Sequence, residues 1–578
     1  MTTETVACRK HLDDRHIQAG LLAASLLFMT VGLLLPLAEL VSKCLTDARG
    51  EFIGFANFVH FFTASSLASA LYNSLYVSVV STLATLPPAF VFAYALTRTT
   101  IRCKAFFKQI AMLPLFAPTM MMGISLVYLF GRKGIVTTGF FGILPWLGLD
   151  IGLYGSTGII LAEAILVFPP SVMILMTALA NSDARLYEAA EALGAGKPEI
   201  FWSVTLPGVK YGVLSAAFVC FTLVFTDFGA PKVLGGNYNV LATDIYKQVV
   251  GQQNFNLGAV ISVVMLVPTL MAFVADNWLR RRQTGAITAR ATPLVPKANT
   301  WRDRVLFVFC LCAAGVVITV FVTSIFASLA DVWPYKLMPT LRHYNFREYG
   351  GGGYTAFWNS LRLAAYTAIL GTFATFGTAY LVEKTRRLQW LRRAAYCLSL
   401  VPLALPGLVI GLSYIFFFNK PSFSVGLTSL PNPLFPLYGT MLLLVLCNVI
   451  HFYTVGYLTA SAALRQIDRE FDLAAESLSV PFYVMFRRVT LPLCLPAVLD
   501  IAGYYFISSM ATVSAVVFLY SPDLQLASVA VVNMDDAGDS APAAAMSVLI
   551  VFANIAAKTL FELASRWARR ETDRWRRR

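Results

Sequence analysis

Runs of about 20 mostly apolar residues recur along this chain, each long enough to cross the hydrocarbon core of a bilayer as a helix. They centre near residues 30, 84, 120, 166, 222, 267, 317, 372, 407, 447, 507 and 553. In hydrocarbon the backbone must satisfy its own hydrogen bonds. The pattern therefore predicts an all-α polytopic membrane protein of about twelve transmembrane helices. Composition argues against a large soluble enzyme: 57% of the residues are hydrophobic and 13% are charged, where a soluble domain carries about 25% charged residues. The run from Gly20 to about Val41 follows Arg9, Lys10 and Arg15, as a signal peptide would. It is too long for one and shows no small-residue cleavage site, so it reads as the first span.

The net charge of +14 would suit nucleic acid or membrane. The basic residues sit in short clusters between apolar runs, which favours the lipid bilayer and argues against nucleic acid. With twelve spans the connections alternate sides. One side, which includes both termini, holds 33 Lys and Arg and the other 10. That bias predicts cytoplasmic termini. The opposite side carries Asp523, Asp535, Asp536 and Asp539, and no connection is long enough for a sizeable soluble domain. Nine cysteines form no CxxC pair, so neither a disulfide framework nor a metal cluster is expected. Cys310 and Cys312 read as small packing residues of a span.

The chain repeats itself. Tyr72-Asn73-Ser74-Leu75 matches Trp358-Asn359-Ser360-Leu361 at an offset of 286. Leu113-Pro114-Leu115-Phe116-Ala117-Pro118 matches Val401-Pro402-Leu403-Ala404-Leu405-Pro406 at 288. Phe201 with Val204-Thr205-Leu206-Pro207 matches Phe486 with Val489-Thr490-Leu491-Pro492 at 285. Shared apolar composition does not produce three matches at nearly one offset. Each half holds about six spans, an even number, so the two are parallel repeats. Residues 1–280 form the first, 305–578 the second, and 281–304, basic and containing Pro293 and Pro296, a cytoplasmic linker.

The sharpest motif is Glu188-Ala189-Ala190-Glu191-Ala192-Leu193-Gly194 followed by Val204-Thr205-Leu206-Pro207, in a loop spanning 182–207. Asp183 or Ser182 is placed to cap a short helix over Leu186–Leu193, Gly194 to end it in a left-handed turn, and Pro207 to start the next span. The loop 467–492 carries a degenerate copy, Ala474, Ala475 and Glu476 with Leu473 for Glu and Ser479 for Gly, then Leu491-Pro492. Because serine adopts left-handed backbone less cheaply than glycine, the second loop is expected to be built differently. These residues resemble the EAA motif of ABC importer permeases. The resemblance covers nearly the whole chain and implies a fused two-half permease of a type I importer in a bacterial inner membrane, with both loops docking on two copies of a cytoplasmic ABC ATPase subunit. It also implies cargo delivered by a periplasmic solute-binding protein. No cofactor is expected on this chain, since the glycine run Gly350–Gly353 lacks a following Gly-Lys-Ser/Thr and ATP with Mg would be used by the partner.

Fused permeases of this size are known for ferric iron, thiamine and 2-aminoethylphosphonate. Thr226-Asp227-Phe228-Gly229-Ala230-Pro231-Lys232-Val233 with Asn239–Tyr246, and Thr512–Asp523 with Asn533–Asp539, look most like the aminoethylphosphonate type. That cargo is the first expectation; ferric iron or thiamine is the alternative. Polar residues inside spans are pathway candidates: Glu163, Thr226, Asp227, Asn448, His451, Thr512 and Ser514. Asp227 and Thr512 match at an offset of 285. Asp227 would either meet the ammonium of a zwitterionic cargo or cap a turn near Gly229-Ala230-Pro231. His451 reads as a helix-to-helix hydrogen bonder, and Asp500 as a partner of Arg487 or Arg488. An ion-coupled secondary transporter would also have two parallel halves but no EAA loop, and a polytopic enzyme finds no catalytic cluster to support it.

Overall fold

The computed structural model describes residues 2–47, 49–284, 294–349, 352–385, 388–425 and 428–577. Gly350, Gly351 and residues 285–293 of the linker, Pro293 included, lie outside them. Among the described residues nine helices are long and apolar enough to cross a membrane: His16–Cys44, Ser65–Arg98, Ser156–Ala180, Lys197–Thr226, Phe255–Leu279, Thr300–Leu329, Gly353–Lys384, Phe482–Ala511 and Ser540–Arg570. Two further spans are bent pairs. Gln389–Ala404 meets Gly407–Phe418 at 112°, and Met441–His451 meets Tyr453–Arg465 at 57°.

The apolar runs near 120 and 407, expected as straight spans, are thus broken. In the first repeat Lys104–Ala111 leads through a 3-10 turn at Leu113–Phe116 into the short helix Thr119–Phe130. In the second, Gln389–Leu400 leads through Val401–Ala404 into Gly407–Phe418. Pro114 with Pro118, and Pro402 with Pro406, cause the break. Each lacks an N–H, and the residues before Pro118 and Pro406 are pushed out of the helical region: Ala117 has ψ 145° and Leu405 ψ 122°. Continuous hydropathy hid the interruption.

Packing divides the chain into two compact units, Met1–Thr46 with Gly352–Val529 and Leu549–Arg578, and Asp47–Gly351 with Ala530–Val548. In the first unit the opening span lies against the second repeat. The Tyr414 hydroxyl donates to the Gly32 carbonyl at 2.7 Å, Lys420 pairs with Glu39 at 2.7 Å, and Leu22 packs with Leu381, Val382 and Ala395. In the second unit the seventh span, Thr300–Leu329, lies against the first repeat. Cys310 and Ala314 join a core with Phe92, Phe107 and Leu175, while Cys312 is exposed. Just beyond this span the hairpin Ala330–Val332 and Lys336–Pro339 presents Trp333, whose Nε1 donates to the Lys133 carbonyl at 2.9 Å and whose ring meets Tyr128 edge-on at 4.8 Å. Each unit is therefore built from both repeats. None of the eight cysteines whose side chains are described forms a disulfide.

Candidate functional site

Two loops present short helices that share one construction. The first is Ala184–Ala192. Asp183 accepts from the Arg185 amide at 3.1 Å, while the buried Ser182 hydroxyl has no partner, so Asp183 is the cap. At the other end Gly194 has φ +81°, and the amides of Gly194 and Ala195 donate to the carbonyls of Glu191 and Ala190 at 3.0 Å each. Glu188, Ala189, Glu191 and Gly194 are exposed and Ala190 is half-buried. Glu191 pairs with Lys297 at 2.7 Å, and this hydrogen bond holds the Lys297 ammonium above its ordinary pKa. Leu186 and Leu193 stand out at 58% and 88% exposure, apolar surface suited to a protein partner.

The second helix, Arg469–Ser477, is capped by Asp468 through the Glu470 amide at 3.2 Å. Its closing bonds run from Ser479 to the Glu476 carbonyl at 3.0 Å and from Val480 to the Ala475 carbonyl at 2.9 Å. Ser479 stands at φ +51°, in the left-handed region that Gly194 occupies in the first loop. The expectation of a differently built second loop is corrected: the backbone is the same, and serine carries the strain that glycine avoids. Ala474 and Glu476 are exposed and Ala475 half-buried, matching their counterparts.

Pro207 and Pro492 do not start their spans. Each span begins earlier, at Lys197 and Phe482, and passes through a wide five-residue turn, Phe201–Thr205 and Phe486–Thr490, before Leu206-Pro207 and Leu491-Pro492. There the Leu206 amide reaches back to the Phe201 carbonyl and the Leu491 amide to that of Phe486. The wider turn makes room for a ring that would strike the carbonyl four residues before it.

The polar residues of the spans also fall at matched positions. Glu163 corresponds to Asn448 and Asp227 to Thr512 at an offset of 285. In the second unit Asp227 Oδ2 accepts from the Ala230 amide at 2.9 Å, so it caps the turn. Its carboxyl group also lies close to the Thr119 hydroxyl and the Glu163 carboxyl. Glu163 Oε1 is buried without a hydrogen-bond partner. In the first unit both amide atoms of Asn448 are buried without partners, and the Thr512 carbonyl accepts from Ser528 at 2.7 Å. Thr226 returns its hydroxyl to the Thr222 carbonyl of its own helix. His451 ends the helix Met441–His451 at the 57° bend, its Nδ1 unpartnered and its ring 4.5 Å from Phe452. Asp500 pairs with Arg569 at 3.3 Å instead of the expected Arg487 or Arg488.

Around these residues the repeats exchange bulk. A Cβ on Gly229 would collide with Thr119 Oγ1, and a Cβ on Gly407 would collide with Ser514 Oγ. Thr119 corresponds to Gly407 at 288 and Gly229 to Ser514 at 285. Each contact thus holds one hydroxyl side chain and one glycine, on opposite partners in the two repeats. The Asn-Ser dipeptides behave alike. Asn73 donates to the Asn239 carbonyl at 2.9 Å and Asn359 to the Gln525 carbonyl at 3.2 Å. The amides of Leu241 and Ala527 both donate to serine hydroxyls, Ser74 and Ser360, at 2.8 Å.

Two stretches of the chain, residues 61–285 and 368–570, match the family of binding-protein-dependent transport system inner membrane components. A ferric transport system permease protein of Actinobacillus pleuropneumoniae is 26% identical over 504 residues, 84% of this chain and 69% of that one. A putative ferric transport system permease protein of Haemophilus influenzae is 26% identical over 487 residues, 80% of this chain and 71% of its own. A solved bacterial ABC transporter that imports the acidic polysaccharide alginate aligns with 47% of this chain and 98% of its own at 18% identity, with a TM-score of 0.41. Twofold coverage by one family model, over most of a chain with two sets of spans, identifies it: this is a member of the binding-protein-dependent transport inner membrane component family, a fused two-half permease of a type I ABC importer and a multi-pass protein of the bacterial inner membrane.

Proposed function

We propose that this permease imports ferric iron delivered by a periplasmic solute-binding protein. The single observation that carries the cargo is the similarity, along most of the chain, to ferric transport permeases. Residues 1–280 and 305–578 act as the two permease repeats, joined by 281–304, with both termini and both capped loops in the cytoplasm, a reading supported by the Lys and Arg asymmetry. The helices Ala184–Ala192 and Arg469–Ser477 are then coupling helices, each received by one of two ATPase subunits. ATP with Mg closes those subunits, the coupling helices follow, and the repeats rock to expose the pathway outward. The exposed Leu186, Leu193, Leu473 and Leu478 supply the apolar contact at the docking sites.

A second reading, 2-aminoethylphosphonate, is favoured by the stretches Thr226–Tyr246 and Thr512–Asp539. Uptake of labelled ferric iron and of labelled 2-aminoethylphosphonate is measured in cells carrying this chain, its ATPase and its binding protein, with and without an ATPase-dead partner. ATP-dependent iron uptake supports the first reading. Phosphonate uptake alone replaces the cargo and keeps the class. Uptake indifferent to the ATPase removes the class of mechanism.

A further inference from the structure

Each coupling helix is clasped to the second span of its own repeat, at matched positions but with different chemistry. Arg98 ends Ser65–Arg98 and corresponds to Lys384, which ends Gly353–Lys384, at an offset of 286. Tyr187 in the first coupling helix corresponds to Asp472 in the second at 285. In the second unit Arg98 is only 5% exposed, donates to the Leu179 carbonyl at 2.7 Å, and lies 5.1 Å from the centre of the Tyr187 ring. The Tyr187 hydroxyl donates to Thr205 Oγ1 at 3.2 Å. In the first unit Lys384 Nζ meets Asp472 Oδ2 at 2.8 Å, with the two side chains 12% and 26% exposed. The shorter carboxylate reaches the cation but not the threonine, and the buried Thr490 hydroxyl, counterpart of Thr205, has no partner.

The flanking charges follow the same division. Arg465, just ahead of the second coupling helix, pairs with Glu383 at 2.8 Å, and Ser461 donates to the same carboxylate at 2.5 Å. Their counterparts in the first repeat are Ala180, Thr97 and Met176, which carry no charge. One loop is thus held by a shielded cation over a ring, the other by ion pairs. Breaking a largely buried ion pair by removing one partner leaves an uncompensated charge and is strongly unfavourable. A cation over a ring depends on the ring, not on a second charge.

We propose that Tyr187 and Asp472 are positioning residues that tie the two coupling helices to the spans they drive, the first through a cation–π clasp on Arg98 and the second through an ion pair with Lys384. This rests on the reading of these loops as ATPase docking sites. The motion is transmitted only while the clasp holds. A loosened helix still docks and permits hydrolysis, but moves without its span. The signature is therefore a fall in cargo moved per ATP hydrolysed, not a loss of assembly.

The test is made on the permease with its ATPase and binding protein in proteoliposomes, measuring uptake and hydrolysis together. Asp472→Asn and Lys384→Met are each expected to lower the uptake-to-hydrolysis ratio about fivefold, a change of about 1 kcal/mol in coupling. The reversed pair Lys384→Asp with Asp472→Lys, or the conservative Lys384→Arg, is expected to recover it. Tyr187→Leu is expected to lower the ratio comparably, and Tyr187→Phe, which keeps the ring, to recover it. Unchanged ratios in Asp472→Asn and Tyr187→Leu overturn the proposal. So does a Lys384→Arg variant as impaired as Lys384→Met. Wild-type uptake indifferent to an ATPase-dead subunit removes the docking reading itself, which is a separate result.

Discussion

The two capped loops, 182–207 and 467–492, have nearly matching hydrogen-bond patterns and quite different side chains. Both are capped by an aspartate, both close with amides donating to the third and fifth carbonyls back, and both place the turn residue at positive φ. One closes on Gly194, the other on Ser479. One is clasped by a ring, the other by a carboxylate. Backbone form is what the repeats share, while the residues that produce it have drifted wherever a second chemistry gives the same shape. The motif is thus better recognised by its caps and turn than by its letters.

The largest effect is expected at the turn itself. Gly194→Trp is expected to reduce uptake per ATP by an order of magnitude while the protein still inserts. No atom lies within 4 Å of a Cβ there, so the effect would come from left-handed strain and from a bulky group on an exposed face. Normal coupled transport in that variant would count heavily against the first loop as a docking site. Next is the exchanged bulk: Gly229→Ser alone should destabilise by about 1–3 kcal/mol through overpacking. Adding Thr119→Gly rebuilds the pattern of the second repeat and should recover most of that loss in thermal unfolding. A double variant no better than the single one would show that the match is coincidental.

Ser74→Ala and Ser360→Ala each orphan one buried amide, of Leu241 and Ala527. Each should cost about 1–3 kcal/mol, and by similar amounts in the two repeats. Clearly unequal losses would deny that the dipeptides do the same work. Ser479→Gly should stabilise by about 1 kcal/mol, relieving the strain of a non-glycine residue at φ +51°. Finally, Lys297→Ala should leave uptake unchanged, because its bond to Glu191 is exposed and such pairs contribute little.

Much of this was legible in the residues. Eleven of the twelve apolar runs fall, among the described residues, on a long apolar helix or a bent pair and the one near 120 on the short helix Thr119–Phe130, and the offsets of 285 to 288 recur as real structural equivalences. The breaks before Thr119 and Gly407 were not read, because hydropathy averages over a proline that interrupts the helix without making it polar. Ser479 suggests a differently built loop because propensity ranks residues one at a time, whereas the closing hydrogen bonds hold it at φ +51°. The Arg98 and Lys384 clasps were hidden among basic residues counted only for orientation. Their signal was available in the offset: a cation kept at the same place, opposite a ring in one copy and an acid in the other. The cargo expectation leaned on local stretches, while similarity over most of the chain points toward ferric permeases.

The lending of first spans has a consequence for how such a chain comes to exist. The first unit needs His16–Cys44 from the amino-terminal repeat, and the second needs Thr300–Leu329 from the carboxy-terminal one. A chain of half the length would expose on its remaining helices the face that a loaned span covers. It could cover that face only by trading helices with a second copy, so folding and pairing would be one concentration-dependent event. Joining the two copies through a short linker turns that trade into an intramolecular exchange, with an effective concentration set by the linker instead of by expression. It also leaves each copy free to diverge, since neither has to pair with itself.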